Sequence, residues 1–257
     1  MRLTLATPAV VLRCWPYGES DKIVCLLTEK YGKVTGIAKG AKRSRRRFAN
    51  SLEPFSLVNL CFYDRPQAGL VFILSAELTR TFKHLAASLE KITLASYVTE
   101  LTDGLTSERD HNMLVFKLLI EALTFLDKDG SEPLQFLASF ELKLLSLAGY
   151  RPVLDRCVGC TRKHTGLVAT PWHFSPAEGG ILCGICARSR SQTLSVRDPV
   201  LEALTKLQRE AHSDAAEVSP FPPEILKEIR FVIQRFLQIR LIREIRSAAF
   251  ISAFVGV

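Results

Sequence analysis

Lys22-Ile23-Val24-Cys25-Leu26-Leu27-Thr28, then Glu29-Lys30-Tyr31-Gly32, then Lys33-Val34-Thr35-Gly36-Ile37-Ala38: this stretch decides the fold of the first third of the chain. Two apolar, β-branched runs of strand length flank a four-residue turn that ends in glycine, the pattern of adjacent strands joined by a tight connection. Upstream, Val10 to Cys14 is a third such run, ending at the punctuation Trp15-Pro16-Tyr17-Gly18. Downstream, Phe55 to Tyr63 and Leu70 to Ala76 are two more, the last extendable through Thr81, separated by the turn signal Asp64 to Gly69.

Five short strands within about eighty residues, one long charged connection and no helix longer than a turn describe a small closed barrel. The oligonucleotide-binding (OB) barrel is the five-stranded member of that class. An SH3-like barrel is the alternative. From Phe82 the hydrophobic period changes from two to three or four. Leu94, Val98, Leu101 and Leu105 recur at helical spacing, Asn112 is placed to cap a run through Phe125, and Pro133 is placed to begin Leu134 to Leu147. Asp198-Pro199 reads as the start of a helix through Glu210. After a Pro- and Ser-rich loop, a last helix is expected from Glu224 to about Ile245. Its expected buried stripe is Ile225, Ile229, Val232, Phe236 and Ile239, with Lys227, Arg230, Arg235 and Arg240 among the residues of a basic solvent side. The expected architecture is therefore a multi-domain α+β protein: a barrel over residues 1–80, a helical domain over 81–152 and 193–257, and a cysteine-based insertion over 153–192.

Hydrophobic residues make up 47% of the 257 and charged residues 23%, which excludes a disordered chain and a disulfide-stapled miniprotein. No apolar run approaches the roughly 18 to 20 residues that span a bilayer. Leu3 to Leu12 only faintly imitates a signal peptide, because Pro8 and Arg13 interrupt it and no small-residue cleavage site follows. A cytoplasmic protein without membrane contact is expected.

The net charge of +8 is concentrated at one end, since residues 1–80 hold 13 Lys/Arg against 6 Asp/Glu. From Lys30 to Leu52 there is no acidic residue, while Lys33, Lys39, Lys42, Arg43, Arg45, Arg46 and Arg47 all fall there. Such a block repels itself unless an anion lies nearby. It is either a solvated loop or a track for a phosphodiester backbone, whose binding would release counterions and depend steeply on salt. Tyr17, Tyr31, Phe48, Phe62 and Tyr63 are candidate base-stacking residues, although which of them face outward is not legible in the sequence.

Seven cysteines in a chain of this kind argue against a disulfide framework. Cys157-x2-Cys160 and Cys183-x2-Cys186, with 22 residues between, form a paired-knuckle spacing. Two such turns brought together complete a tetrahedral four-thiolate site suited to one structural zinc, with no open position to activate water. Four reduced thiols or a redox pair are the alternative. Elsewhere, the five histidines show no repeated metal spacing, although His164 and His173 sit near the knuckles. Gly32, Gly36 and Gly40 match no phosphate-cradling motif. Glu19 and Asp21 are the weak candidates for a two-metal nuclease. Binding is better supported than catalysis.

Several motifs together carry a family resemblance. Pro16-Tyr17-Gly18-Glu19-Ser20-Asp21-Lys22-Ile23-Val24, Tyr31-Gly32-Lys33, Ala38-Lys39-Gly40-Ala41-Lys42-Arg43 and Leu52-Glu53-Pro54-Phe55-Ser56 resemble the bacterial RecO family of DNA repair proteins. Phe140-Glu141-Leu142-Lys143-Leu144-Leu145, Gly149-Tyr150 and Phe174 to Gly180 continue the resemblance in order along nearly the whole chain. It implies an OB-type barrel, a helical domain and a zinc element inserted into it. It also implies a non-enzymatic recombination mediator acting on bacterial nucleoid DNA. Such a protein binds single- and double-stranded DNA, anneals complementary strands, and works with RecR and the C-terminal tail of single-stranded DNA-binding protein to help RecA load. DNA contact is carried over to the basic residues named above, and zinc ligation to Cys157, Cys160, Cys183 and Cys186. The chain's ending, from Arg243 to Val257, departs from the family's usual one. An RNA-binding module, a metal-dependent nuclease and a protein-interaction scaffold are the rival readings.

Overall fold

The computed structural model describes residues 3–44, 46–64, 69–128, 133–164, 171–210, 220–241 and 243–255. Five strands, β1 (Thr4–Tyr17), β2 (Asp21–Thr28), β3 (Gly32–Ala38), β4 (Leu57–Tyr63) and β5 (Val71–Arg80), close into a barrel in the order β1-β2-β3-β5-β4. All neighbours are antiparallel except β3 and β5, which run parallel. This is the five-stranded barrel expected from the sequence.

β1 is longer than its apolar run because one strand serves two neighbours. Its first half pairs with β4 and its second with β2, and a register shift between Val11 and Arg13 bends it from one to the other. Alternation then assigns the faces. Val11, Val24, Leu26, Val34, Leu60, Phe62 and Ile73 fill the interior. Cys25 and Leu27, which alternation turns outward, are buried as well, so the barrel's outer surface is partly covered. The parallel seam is short, pairing only Gly36 with Val71 and Ile37 with Phe72. It needs glycine on β3, since a Cβ at Gly36 would lie 2.5 Å from Val71 Cγ2 and 2.8 Å from Ile73 Cγ1. Farther along β3, the Arg109 N–H donates to the Lys33 carbonyl (2.9 Å), extending the pairing where β5 no longer reaches.

The chain forms two compact units, residues 1–130 with 245–254, and residues 131–244 with 255–257. In the first, α1 (Leu89–Leu105) and α2 (Met113–Asp127) pack on each other. The Ser88 hydroxyl caps α1 at the Lys91 N–H, and Asn112 caps α2 at the N–H groups of Leu114 and Val115. These two helices fall within the same compact unit as the barrel. A short helix, α7 (Ala248–Val255), lies in the same unit through Phe254, and Glu100 Oε2 accepts from both the N–H and the hydroxyl of Ser247 just before it.

The second unit contains α3 (Pro133–Leu147), α5 (Asp198–Glu210) and α6 (Pro223–Arg240). It also holds a three-stranded sheet of β6 (Trp172–Ser175), β7 (Gly180–Cys183) and β8 (Leu194–Val196), and one helical turn, α4 (Gly184–Ala187). α6 stops at Arg240, five residues before the expected end, and its buried face is centred one position later than expected. Leu226, Ile229, Val232, Ile233, Phe236 and Leu237 are inside, while Ile239 is exposed. Arg230, expected on the solvent side, is fully buried with Glu141 of α3, Arg230 Nη1 lying 3.4 Å from Glu141 Oε1. No helix among the described residues is long and apolar enough to cross a membrane.

Candidate nucleic-acid interface and metal centre

The cationic segment between β3 and β4 is anchored along its length. Ala41, Phe48 and Leu52 are buried in the barrel core, so the segment closes one end of the barrel with its own apolar residues. The Ala76 N–H of β5 donates to the Arg47 carbonyl (3.0 Å). The turn between β1 and β2 holds the other end: the Lys42 N–H donates to the Ser20 carbonyl (2.9 Å), and Asp21 Oδ1 accepts from the Gly40 N–H (2.8 Å) and the Ser20 hydroxyl (2.9 Å). The Gly40 and Ser20 donors hold the Asp21 carboxyl below its ordinary range. That use of Asp21 is architectural.

Between these anchors Lys39, Lys42, Arg43, Arg46 and Arg47 are exposed. Lys42 Nζ donates to the Gly18 carbonyl (2.7 Å); Arg47 Nη2 donates to the Lys39 carbonyl (2.8 Å), and its guanidinium carbon lies 5.0 Å from the centroid of the Phe48 ring. Arg45 lies outside the described residues. The arrangement places exposed cations between backbone anchors at Gly40–Lys42 and Arg47–Leu52, at the mouth of the barrel.

Lys33 stands apart from the other cations of the expected set. Alternation places it on the outer face of β3, but that face is covered by the C-terminal part of α1. Lys33 Nζ donates to the Asp103 carbonyl (2.6 Å) and to Asp103 Oδ1 (3.0 Å), and the residue is 8% exposed. Asp103 also receives Arg13 Nε at 2.6 Å, and the Cys25 thiol lies 3.8 Å from Oδ1. Burial, with Asp103 beside it, pushes that thiol up to about 11. The group locks α1 onto the barrel, and sequence reasoning missed it because the partner carboxylate lies 70 residues away.

Of the candidate stacking residues, Phe48 and Phe62 are buried, Tyr31 packs edge-on against Phe62 and Tyr63 stacks on Phe72. Tyr17 is exposed.

The knuckles come together in the second unit. In the first, the Thr161 N–H donates to the Cys157 carbonyl and the Cys157 N–H to the Arg162 carbonyl, each at 2.8 Å. The second begins where β7 ends at Cys183, and the single turn of α4 returns Cys186 to the same side. Hydrogen bonds between Val153 and Ile181, and from the Val158 N–H to the Ile181 carbonyl, zip the first knuckle along β7. All four sulfurs lie within 4.8 Å of one another, and Cys160 Sγ is 3.8 Å from Cys183 Sγ. A tetrahedral thiolate site with metal–sulfur bonds of about 2.3 Å has sulfur–sulfur edges of about 3.8 Å, so the donor set fits one metal ion. Gly159 makes room for it, since a Cβ there would sit 3.1 Å from Cys186 Sγ.

The thiols already behave as a set. Burial opposes ionisation of Cys157, but the N–H groups of Cys183, Cys160 and Gly159 outweigh it and bring the thiol down to about 6. Hydrogen bonding to the Cys160 and Cys183 sulfurs pushes Cys186 up to about 12. Without a cation the four charges cannot coexist. His164 packs edge-on against Trp172, outside this cluster. Among the described residues the four cysteines are the one group of potential metal ligands brought together.

These features define a class: an OB-type barrel protein with an anchored cationic loop and a closed four-cysteine centre in an α-helical unit. Comparison with known proteins carries this further. Residues 1–82 match the family described as recombination protein O N terminal, and residues 86–249 match recombination protein O C terminal. A DNA repair protein RecO from Anaeromyxobacter sp. (strain K) is 36% identical over 242 residues, covering 94% of this chain and 93% of its own length. Relatives of the same name from Anaeromyxobacter sp. (strain Fw109-5) and Caldanaerobacter subterraneus are 34% and 31% identical, each over 96% of this chain and at least 95% of their own. The chain belongs to the RecO family of DNA repair and recombination proteins. The family boundary, between residues 82 and 86, follows the end of the barrel, whereas the compact unit continues through α2.

Proposed function

We propose that this protein is a non-enzymatic recombination mediator that binds single- and double-stranded DNA through Lys39, Lys42, Arg43, Arg45, Arg46 and Arg47 and anneals complementary strands. The observation that carries this reading is the cationic loop anchored at the barrel mouth by Phe48, Leu52 and the Asp21 staple. Fixed cations screen repulsion between two phosphate backbones, and base pairing then drives annealing without hydrolysis. Family membership extends the proposal to partnership with RecR and with the C-terminal tail of single-stranded DNA-binding protein, and through them to RecA loading. In the same reading the ion held by Cys157, Cys160, Cys183 and Cys186 is zinc. A bound zinc would neutralise the thiolates and tie the two knuckles together, a structural task with no coordination site left for substrate.

A salt titration on fluorescent single-stranded and duplex oligonucleotides, with annealing followed in the same samples, tests the reading. Each single-strand phosphate contact contributes about −0.7 to the log–log slope, so five contacts lower affinity roughly a hundredfold over a fourfold rise in salt. Charge reversal of Arg43, Arg46 and Arg47 should depress binding and annealing together. Unchanged binding and annealing would remove the loop from the mechanism. Matched RNA and DNA strands in competition separate this reading from an RNA-binding module.

A further inference from the structure

The outer face of β1, β2 and β3 is covered at one end and open at the other. At the covered end lie Val10, Leu12, Cys25, Leu27 and Lys33, all buried. Toward the β1–β2 turn the same face carries Trp15 and Tyr17 of β1, with Ile23 of β2 opposite Trp15 and Ile37 of β3 opposite Ile23. Trp15 is 36% exposed and Tyr17 54% exposed. Ile23 and Ile37 are half-buried, giving the two rings an apolar floor.

The strand end that carries the rings is tied down. Arg13, two residues before Trp15 on the same face, is held by Asp103 and places its guanidinium carbon 5.6 Å from the indole centroid. Tyr17 pairs with Asp21, whose carboxylate holds the Gly40 N–H, and the following residue, Gly18, accepts from Lys42 Nζ. The strand end that carries the two rings is thus tied, through Gly18 and Asp21, to the segment of exposed cations. Apolar rings beside fixed cations are complementary to a strand whose phosphates follow the cations while its unpaired bases lie on the rings. A duplex offers phosphates but keeps its bases stacked on one another.

We infer that Trp15 and Tyr17 form a base-stacking platform for single-stranded DNA, beside the phosphate track of Lys39, Lys42, Arg43, Arg46 and Arg47. This deepens the proposed DNA-binding function and rests on it. The platform supplies the preference for unpaired strands, and the basic loop supplies charge-driven affinity for both forms. During annealing, the bases presented by one strand are released from the platform as they pair with the incoming strand.

The chain has two tryptophans, Trp15 on this face and Trp172, which is 3% exposed. In the full-length Trp172→Phe protein, emission therefore reports Trp15 alone. Titration with a dT oligonucleotide should quench that emission, with the midpoint measured by anisotropy of the labelled strand. Trp15→Ala and Tyr17→Ala should each weaken single-strand binding about fivefold or more, the alanine cost of one stacked base. The slope of log K against log salt and the duplex affinity should not move, and Trp15→Tyr, which keeps a ring, should restore most of the loss. Thermal unfolding confirms that each variant is folded. Binding that proceeds without quenching, with both alanine variants equal to the parent, would overturn the platform and leave the DNA-binding reading intact; a face reserved for a protein partner gives that result. Absence of any DNA binding at low salt would overturn both.

Discussion

Lys33 and Asp103 offer the sharpest test of the fold's electrostatics. Their charged atoms are 3.0 Å apart, with side chains 10% and 1% exposed. At an effective dielectric of about 20 the direct attraction is about 5 to 6 kcal/mol, but removing both ions from water costs several kcal/mol each. The net worth of the pair is therefore small, while breaking it is not. Asp103→Ala leaves the Lys33 ammonium under α1 without its carboxylate and also frees Arg13, so a loss of about 3 to 5 kcal/mol is expected. In a unit of this size that is a fall in Tm of roughly 10 to 15 °C. The double variant Lys33→Met/Asp103→Leu should recover much of the loss, because hydrophobic replacement of both partners removes the desolvation cost as well. Urea unfolding of the two single variants and the double variant measures the cycle. A loss below about 1 kcal/mol for Asp103→Ala would refute the reasoning, as would a double variant no more stable than the single. Lys33→Met, assayed well below its Tm, should leave the DNA salt slope untouched. A decrease of about 0.7 would return Lys33 to the phosphate track.

Three further outcomes follow from particular contacts. Gly36→Ala places a methyl 2.5 Å from Val71 Cγ2 at the parallel seam and should destabilise the barrel by about 1 to 3 kcal/mol; an unchanged urea midpoint would contradict the close approach. Cys157→Ser, or treatment with a chelator, should shift Trp172 emission to the red in a Trp15→Phe background as β6 loosens, and metal analysis of the untreated protein should find one equivalent. Fewer than half an equivalent, with all four thiols titratable in the native protein, would reject the site. The depressed Asp21 carboxyl contributes stability that is fully present above its ordinary value of 3.8 and fades only as pH falls through its lower folded-state value. Asp21→Ala should therefore weaken the protein at neutral pH but make no difference once the carboxyl is protonated, and should speed amide exchange at Gly40; unaltered Gly40 exchange would show that the loop is held otherwise.

Local chemistry made much of this legible. Asn112 caps α2 because its side-chain oxygen reaches two orphan N–H groups of the next turn, and Pro133 opens α3 because a first-turn residue needs no N–H donor. The knuckles were legible because two thiols three residues apart in a turn face the same way. What escaped was set by distant partners. β1 runs to Thr4 because β4 lies beside it, and Arg230 is buried because Glu141 faces it from another helix. The stacking surface was obscure for the same reason: Tyr31 and Tyr17 both follow strand-and-turn signals, yet one packs on Phe62 and the other faces solvent.

By itself the sequence determined the strand count of the barrel, the change to helical period, the four-thiol spacing and the cationic block, since each depends on residues within a few positions of one another. Tertiary structure alone decided which cations remain exposed, which aromatics face outward and which carboxylates serve as staples. Those outcomes depend on what packs over each face, and the covering groups come from remote parts of the chain: Asp103 over Lys33 and Asp21 under Gly40. Alternation along a strand assigns a side chain to a face, but only the fold determines whether that face meets water or a helix.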